Sequence, residues 1–383
     1  MGPSPVAAAR TATAIREYAT LCRDELPDDH HVRSYAGLWL LLATLAPVVT
    51  DPEARAELEA ALGLDVDEAA AQARTLLDEQ RDGLAAAVAG WLRDDVTLTG
   101  ELPVDLEPLP DQEGLDRWAR TATDGLVERF PVPVEPTTVL VLASALVART
   151  RWQEPLDTTH DRMLVREDGL LAVVETHAAG LVAVASPSGE GDLDVVSVVA
   201  VPDLPQAKVW DAVDEVCGWV VDGTLLERRV PAAELDRDGH AWSVVRKTWS
   251  LPEGSPAREV WQAEVPAWTL DTTTDLDEAP GVAAVSDAVL ALVPLQPQDS
   301  RTVQASTATY GAKGFEAAAV TVMAFMAGAA SPPAEKARVV TLRFDRPHAV
   351  VALARGGAWE GVPVVHAWVD GKSDAGLTAD RRV

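Results

Sequence analysis

The chain has 383 residues, of which 48% are hydrophobic, and this is enough to bury a large core. Its 60 acidic and 32 basic residues give a formal net charge of −28, and no cluster of Lys and Arg is present to contact phosphates. The charge therefore argues against nucleic acid and anionic membranes as partners. The two cysteines are too few for a disulfide framework or a zinc site, so we expect free buried thiols.

Helical patterns dominate the first third of the chain. Ser34 precedes an apolar run from Tyr35 to Leu42, and its hydroxyl suits an N-cap, so a buried helix is predicted there. Asp51-Pro52-Glu53 opens the next helix, which Gly63 ends. Three further helices are predicted: Val6 to Leu26, Val66 to about Arg81, and Asp111 to Arg129.

Apolar and β-branched runs dominate the remainder. The segment from Thr137 to Val147 has little polarity, which is typical of a strand buried on both faces. Three shorter runs bounded by Pro, Gly and Asp are predicted strands: Leu193 to Val201, Val260 to Trp268, and Val339 to Phe344. Helices followed by strands indicate an α+β fold. We interpret residues 1–383 as a single domain, helix-rich over 1–130 and sheet-rich over 131–383.

No catalytic constellation is found in the sequence. A Gly-x-Ser-x-Gly elbow, a Walker loop and a His-Glu-x-x-His motif are all absent, so we expect no enzyme activity, no cofactor and no metal. The glycines around Lys313 resemble a phosphate loop only faintly, because no Ser or Thr follows the lysine. The stretch from Asp28 to His31 is interpreted as a solvated loop rather than a metal site.

The segment from Lys313 to Pro333 is unusual. Small side chains fill its first half, and its second half is apolar, then small, and ends in a Pro pair that cannot continue a central strand. Small residues fit between two existing strands, and Thr and Val favour a sheet. Such a segment can serve as a loop in one state and a strand in another. An Ala-rich helix is the alternative that propensity supports equally well.

These residues resemble the hinge of the serpins, the serine protease inhibitors, because Gly314 and Glu316 open an alanine run. On this resemblance the chain is identified as a divergent bacterial member. Further segments resemble serpins in the same order along most of the chain: Ser34 to Leu64, Leu115 to Val127, Val139 to Trp152, Val265 to Trp268, Arg343 to His348, and Val364 to Val369. Their order and spacing carry the resemblance, since no single motif is decisive.

The resemblance implies a serpin-like fold with a large central mixed β-sheet, N-terminal helices, smaller sheets and an exposed reactive-centre loop at about residues 312–336. It implies a metastable suicide inhibitor, whose loop is cleaved by a serine protease and then inserts into the central sheet. The implied hinge residues are Gly314, Phe315, Glu316, Ala317, Ala318, Ala319 and Thr321. The implied breach and shutter residues are Trp152, Ser34, Ser144 and Gln304.

The family register implies a cleaved bond near Gly328-Ala329, with Ala327 beside it. Small residues there predict a protease with a small primary pocket, like elastase or subtilisin, whereas Phe325 or Met326 would suit a chymotrypsin-like pocket. A trypsin-like target is disfavoured, because no Arg or Lys lies between Lys313 and Lys336. We expect a monomer. The absence of a signal peptide predicts a cytoplasmic location, with an extracellular one as the alternative.

Several positions depart from the family pattern. Phe315 stands where serpins keep a small residue, and a ring entering the sheet is expected to cost about 1–3 kcal/mol through overpacking. Ser144 and Gln304 replace the usual Asn and His of the shutter. Ala312 and Ala267 replace both halves of an ion pair, so no single charge is left without its partner. These departures favour, as the alternative function, a non-inhibitory serpin-fold binding protein.

Overall fold

The computed structural model describes residues 5–23, 30–79, 81–159, 163–250, 259–294, 300–316 and 334–373. The α-helices within these ranges are α1 (Pro5–Leu21), α2 (Tyr35–Leu45), α3 (Pro52–Leu62), α4 (Val66–Asp78), α5 (Gln112–Ala122), α6 (Gln206–Val221) and α7 (Val282–Leu290). The strands are β1 (His31–Arg33), β2 (Leu84–Leu92), β3 (Leu106–Pro108), β4 (Leu140–Arg151), β5 (Asp157–Thr158), β6 (Leu164–Arg166), β7 (Leu170–Thr176), β8 (Gly180–Ser186), β9 (Leu193–Val199), β10 (Trp242–Ser250), β11 (Glu259–Val265), β12 (Trp268–Asp275), β13 (Val303–Gly311), β14 (Gly314–Glu316), β15 (Ala334–Arg343), β16 (His348–Ala354) and β17 (Pro363–Val369).

The strands form three sheets. Sheet I has the order β12-β13-β14-β4-β2-β3, sheet II has β1-β17-β16-β9-β8-β7, and sheet III has β10-β15-β11-β6-β5. Neighbouring strands of sheet I are antiparallel except β2 and β3, which are parallel. Sheet III is also mixed, because β11 and β15 are parallel. The predicted α+β fold with a large mixed sheet and further sheets is confirmed.

Sheet I is covered by a helix on each face. On one face α5 packs through Trp118, whose ring lies edge-on to Trp91 of β2 with the ring centroids 5.0 Å apart. On the other face lies α2, to which β4 is joined where the Ser144 hydroxyl donates to the Gly37 carbonyl at 2.7 Å. Because α2 is apolar on almost every side, it is buried in the main core, as its sequence predicts.

The predicted helix signals act as expected at α2 and α3. The Ser34 hydroxyl accepts from the Gly37 amide and caps α2. At α3 the Asp51 carboxylate accepts from the first amides, and Gly63 ends the helix in the left-handed region at φ 70°. Both thiols, Cys22 and Cys217, are unpaired, and burial raises the pKa of Cys217 to about 12.

Three predicted elements have the wrong bounds. The helix predicted from Val6 to Leu26 ends at Leu21. The helix expected from Asp111 to Arg129 ends at Ala122, because Asp124 and Gly125 take positive φ angles of 50° and 88° and turn the chain away. The single strand expected from Val260 to Trp268 is two strands in different sheets. Pro266 stands between them, and its ring prevents the amide from joining a ladder.

Candidate functional site

The chain turns back into sheet I directly after β13. Gly311 pairs with Gly314, so a two-residue turn closes a β-hairpin of which β14 is the second strand. β14 lies between β13 and β4 and is antiparallel to both. Residues 314–316 of the predicted hinge are therefore already part of the sheet.

The segment after β4 binds this hairpin turn. The indole N–H of Trp152 donates to the Gly311 carbonyl at 2.9 Å, and the Trp152 amide donates to the Lys313 carbonyl at 3.0 Å. The remaining turn carbonyl, that of Ala312, accepts from the Leu156 amide at 2.7 Å. All three carbonyls have partners, so the turn is held rigidly at the end of β4. Trp152, predicted at the breach, is the residue that supplies two of these bonds.

Glycine is required at the start of β14. A Cβ atom on Gly314 would lie 2.4 Å from the carbonyl oxygen of Thr150, well inside van der Waals contact. At Gly311, on the opposite side of the turn, a Cβ atom would meet nothing closer than the Gly314 carbonyl oxygen at 4.0 Å. The close approach of β14 to β4 therefore depends on the missing side chain of Gly314 alone.

The ring of Phe315 is fully buried within sheet I. It packs edge-on against Trp268, with ring centroids 6.2 Å apart, and Trp268 in turn stacks on Tyr310 at 6.0 Å. Trp152 completes this cluster at 5.3 Å from Tyr310. The overpacking expected from the sequence is not seen, because an aromatic cluster on the α2 side of the sheet accommodates the ring.

Among the residues the structure describes, no strand continues β14 between β4 and β13. Residues 140–148 of β4 pair with β2 on one side only, and residues 303–308 of β13 pair with β12 on one side only, among the residues the structure describes. A cavity of about 930 Å³ lies between these two strand edges, and its lining includes residues of α2, α5 and α7. Because β4 and β13 are parallel to each other, a strand that continued β14 downward would be antiparallel to both.

The predicted shutter residues meet at the first turn of α2. The Ser34 amide donates to the Gln304 side-chain oxygen at 2.9 Å, and the Gln304 side-chain amide donates back to the Ser34 carbonyl at 2.8 Å. The Ser34 hydroxyl donates to Val364 of β17 at 2.8 Å. Ser144 joins α2 through Gly37, as described above. The cluster thus ties β4, β13 and β17 to one helix at the middle of the open region.

One contact beside β14 was not anticipated from the sequence. The Arg149 guanidinium lies 2.8 Å from the Asp124 carboxylate, which joins β4 to the turn that follows α5. Arg149 is the residue paired with Glu316 of β14. Asp124 and Gly125 form an Asp-Gly dipeptide, a turn signal that could have located this turn, and both residues take positive φ angles.

The other predicted loop residues lie outside the described residues: Ala317, Ala318, Ala319, Thr321, Ala327, Gly328 and Ala329. Asp28 and Asp29 also lie outside them, and His30 stands 3.7 Å from Asp370. Across the described ranges, no group of three or more His, Cys, Asp and Glu side chains is placed to hold a metal ion. None of the helices in those ranges is long and apolar enough to cross a bilayer.

The described residues thus form an α+β protein of three sheets, in which the short strand β14 lies between β4 and β13. No protein-family model matches the sequence, and comparison with curated proteins finds no sequence match either. The fold does match solved structures. Human glycosylated kallistatin matches with a TM-score of 0.65 at 13% identity, covering 96% of this chain and all (100%) of that one.

Two other solved structures agree with this comparison. The thermophilic serpin tengpin in the latent state matches with a TM-score of 0.63 at 11% identity, covering 97% of this chain and 100% of that one. A cleaved serpin 42Da matches with a TM-score of 0.62 at 13% identity, covering 96% of this chain and 99% of that one. The chain has the serpin fold over nearly its whole length, as the sequence resemblance implies.

Proposed function

We propose that this protein is a suicide inhibitor of a serine protease. The protease would cleave its loop, and the protein itself would not act as an enzyme. The observation that carries the proposal is the open strand position in sheet I, which begins where β14 ends. The first residues of the loop already form a strand between β4 and β13. The residues that follow would therefore extend this strand in the same register. Cleavage frees the far end of the loop, and the gain in strand pairing then drives insertion.

The existing register specifies where each loop residue would go. Continued from β14, it brings Ala317 opposite Ala148 of β4 and brings Thr321 opposite Ser144 and Gln304. Side chains alternate along a strand, so Thr321 would face α2 on the same side as Phe315. A hydroxyl would then arrive at the polar shutter cluster, where groups that donate and accept hydrogen bonds are already gathered.

The length of the opening fits the length of the loop. In the same register residues 317–325 lie opposite residues 148–140 of β4. The proposed cleavage site at Gly328-Ala329 falls just beyond this stretch, so the cut loop retains every residue that the opening accepts. Most side chains over 317–321 are small, which lets them enter between two strands without displacing either.

The proposed target is a serine protease with a small or apolar primary pocket, of the elastase, subtilisin or chymotrypsin kind. Ala327, Gly328 and Ala329 are the candidate residues around the cleaved bond. The protease serine would form an ester with the carbonyl carbon of the cleaved bond while the amine half leaves. Insertion of the loop before water hydrolyses this ester would trap the protease. One structural neighbour is named as a mouse protein-Z dependent protease inhibitor, which supports this class of activity.

The buried hinge strand also favours a second function. Phe315 is already fully packed, and the shutter carries Ser144 and Gln304, so β14 is a stable part of the sheet rather than a strained one. A serpin-fold protein whose loop does not insert into sheet I beyond β14 would act as a binding module and not as an inhibitor. Fold alone does not separate these two functions.

The test is incubation with elastase, subtilisin, chymotrypsin and trypsin, followed by denaturing electrophoresis and thermal unfolding. We expect an SDS-stable complex with one of the first three proteases, and a large rise in Tm once the loop is cut. Replacement of Ala319 by Arg should abolish the complex and leave a simple substrate, because the charge would be buried opposite Leu146 and Ser306 at a cost of several kcal/mol.

Ser331→Arg is the matched control, because residue 331 lies beyond the cleavage site and does not enter the sheet. It should retain the complex. A cut protein with unchanged Tm in every digest would contradict the proposal and favour the binding module. A raised Tm without any covalent complex would show insertion that is too slow to trap a protease, and this also contradicts inhibition.

A further inference from the structure

Four buried nitrogen atoms beside β1 and β17 of sheet II have no hydrogen-bond partner among the described residues. They are the Nε atoms of Arg23 and Arg33, the indole nitrogen of Trp210 and the Nδ1 atom of His366. The Trp210 and His366 residues are 1% and 2% exposed, and the Arg23 side chain is 7% exposed. Folded proteins leave few buried donors unpaired, so four in one place indicate a missing partner.

The side chains that carry these nitrogen atoms surround the ring of His366. Arg33 of β1 is directly paired with His366 of β17, so both side chains lie on the same face of sheet II. The Trp210 ring of α6 lies 5.8 Å from the His366 ring between centroids, and the Arg23 guanidinium lies over the Trp210 ring at 5.1 Å. The Tyr35 ring completes the group, 5.0 Å from His366.

The guanidinium of Arg33 is directed into this group. Burial raises the pKa of Tyr35, and the positive charge of Arg33 opposes this rise, which shows that the guanidinium lies beside the Tyr35 ring. Because Arg33 also shares a face with His366, the two arginines approach His366 from different elements, one from β1 and one from the segment that follows α1.

The charges around His366 do not cancel within the described part of the chain. Arg23 donates to both carboxylate oxygens of Asp214, at 2.7 and 3.0 Å, and is neutralised there. Arg33 forms no ion pair with any described residue. Burial lowers the pKa of His366 well below its ordinary value, and Arg23 lowers it further, so the ring is neutral at pH 7. One positive charge, that of Arg33, therefore remains.

We infer that Arg23, Arg33, Trp210 and His366, which we call the anion cluster, bind a monovalent anion of the size of chloride. The partner must accept several hydrogen bonds, because the guanidinium and indole nitrogen atoms can only donate, and His366 donates when its proton is on Nδ1. It must also carry one negative charge to balance Arg33. Water has no charge, and sulfate and phosphate are larger and more highly charged than the closely packed rings favour.

The anion would connect three separate elements to sheet II. Arg23 follows α1, Trp210 belongs to α6, and Arg33 belongs to β1, which pairs with β17 over only three residues. Arg33 is half-buried, so its side chain can move to admit the ion. The inference is independent of the proposed function, because none of these residues belongs to the loop or to a strand of sheet I.

The first test measures thermal unfolding of the full chain while sodium chloride replaces sodium gluconate. The pH and the ionic strength are held constant, so that screening of surface charges does not change. Gluconate is too large for the anion cluster. A ligand that binds only the folded state raises its stability by mass action, so we expect Tm to rise with chloride by at least about 2 °C and then to saturate.

Two substitutions with matched controls locate the effect. Arg33→Met removes the unbalanced charge, and Trp210→Phe removes one donor while keeping a ring, so each should weaken chloride binding by about ten-fold or more. Arg55→Met removes a surface guanidinium instead, and Trp39→Phe removes a buried indole N–H that already donates to the Leu62 carbonyl at 3.1 Å. Both controls should keep the chloride dependence of the wild type, whatever their own Tm.

Crystals of the wild-type protein grown with bromide provide a test that requires no variant. An anomalous peak is expected within hydrogen-bonding reach of the Arg33 Nε and Trp210 Nε1 atoms. Absence of this peak would overturn the inference. A wild-type Tm that does not depend on chloride would also overturn it, because the donors would then find their acceptor within the protein. Equal chloride effects on the wild type and on both Arg33→Met and Trp210→Phe would show a general salt effect and would exclude the site.

Discussion

The two ends of the loop are anchored very differently. At the hinge end, β14 is a strand of 3 residues that is paired on both sides, and among the described residues no strand fills the position directly below it. At the far end, β15 has 10 residues, of which residues 338–342 are paired on both sides, with β10 and with β11. In the proposed mechanism the hinge end extends by adding one ladder pair at a time. Any movement of the far end, in contrast, must break strand pairs that already exist.

In the proposed mechanism the two ends contribute differently. Insertion would gain hydrogen bonds and buried side chains at the hinge end, whereas moving the far end would break existing strand pairs. A cut in the loop would allow the first change without the second, and the uncut state would then persist because its conversion is slow and not because it is the state of lowest free energy. We therefore expect substitutions at the hinge end and matched substitutions at the far end to differ in their effects on stability and proteolysis.

The largest expected effect comes from removing a buried ring at each end. Phe315→Ala at the hinge and Phe344→Ala after β15 should each lower the free energy of unfolding by about 3–5 kcal/mol, since both rings are fully buried. Urea denaturation measures this loss. Only Phe315→Ala should also expose the hinge turn to limited proteolysis under native conditions. Equal proteolysis of both variants would contradict the separation of the two ends.

An intermediate effect is expected from the hinge glycine. Gly314→Ala places a Cβ atom against the Thr150 carbonyl and should cost about 1–3 kcal/mol, because β14 must move away from β4. Gly311→Ala is the control, with open space for its Cβ atom, and should change stability by no more than about 0.5 kcal/mol. Thermal unfolding of the uncut proteins provides the measurement. Similar losses for both variants would show that the close approach at Gly314 is unimportant.

The smallest effect concerns a like-charge pair between β10 and β15. Arg246 of β10 lies directly opposite Arg338 of β15, and Arg338 is 3.5 Å from Glu259 of β11. Arg246→Glu replaces a like-charge pair by an opposite one and should stabilise the protein by about 0.2–1 kcal/mol at low salt. Arg246→Gln should give part of this gain. The gain should decline as salt is added, and a gain independent of salt would exclude the electrostatic explanation.

Much of the fold could be predicted from the sequence, because several of its signals act locally. The Ser34 cap and the left-handed Gly63 depend only on neighbouring residues, and both are found as predicted. The end of α5 was predicted wrongly, because the turn signal of the Asp124-Gly125 dipeptide, whose residues both take positive φ angles, was overlooked. The sequence contains Pro266, but it did not reveal that the segment forms two strands. This is seen only from the structure, in which β11 and β12 belong to different sheets.

The candidate site was predicted less completely. Trp152 and the shutter residues Ser34 and Gln304 were named from resemblance, and the structure shows the hydrogen bonds that bring each of them to sheet I. The room for Phe315 was not foreseen, because it is created by Trp268 and Tyr310, which come from two other strands. β10 was not recognised as a strand at all, although it pairs with β15 over nine residues.

The sequence by itself determined the α+β fold and the starts of α2 and α3. These features follow from side-chain size, polarity and local capping, which act over a few residues. Only the tertiary structure decided that β14 already lies in sheet I, that no described strand continues it between β4 and β13, and that β15 lies between β10 and β11. The reason is physical: strand pairing joins residues far apart in the chain, and its register depends on every neighbouring strand at once.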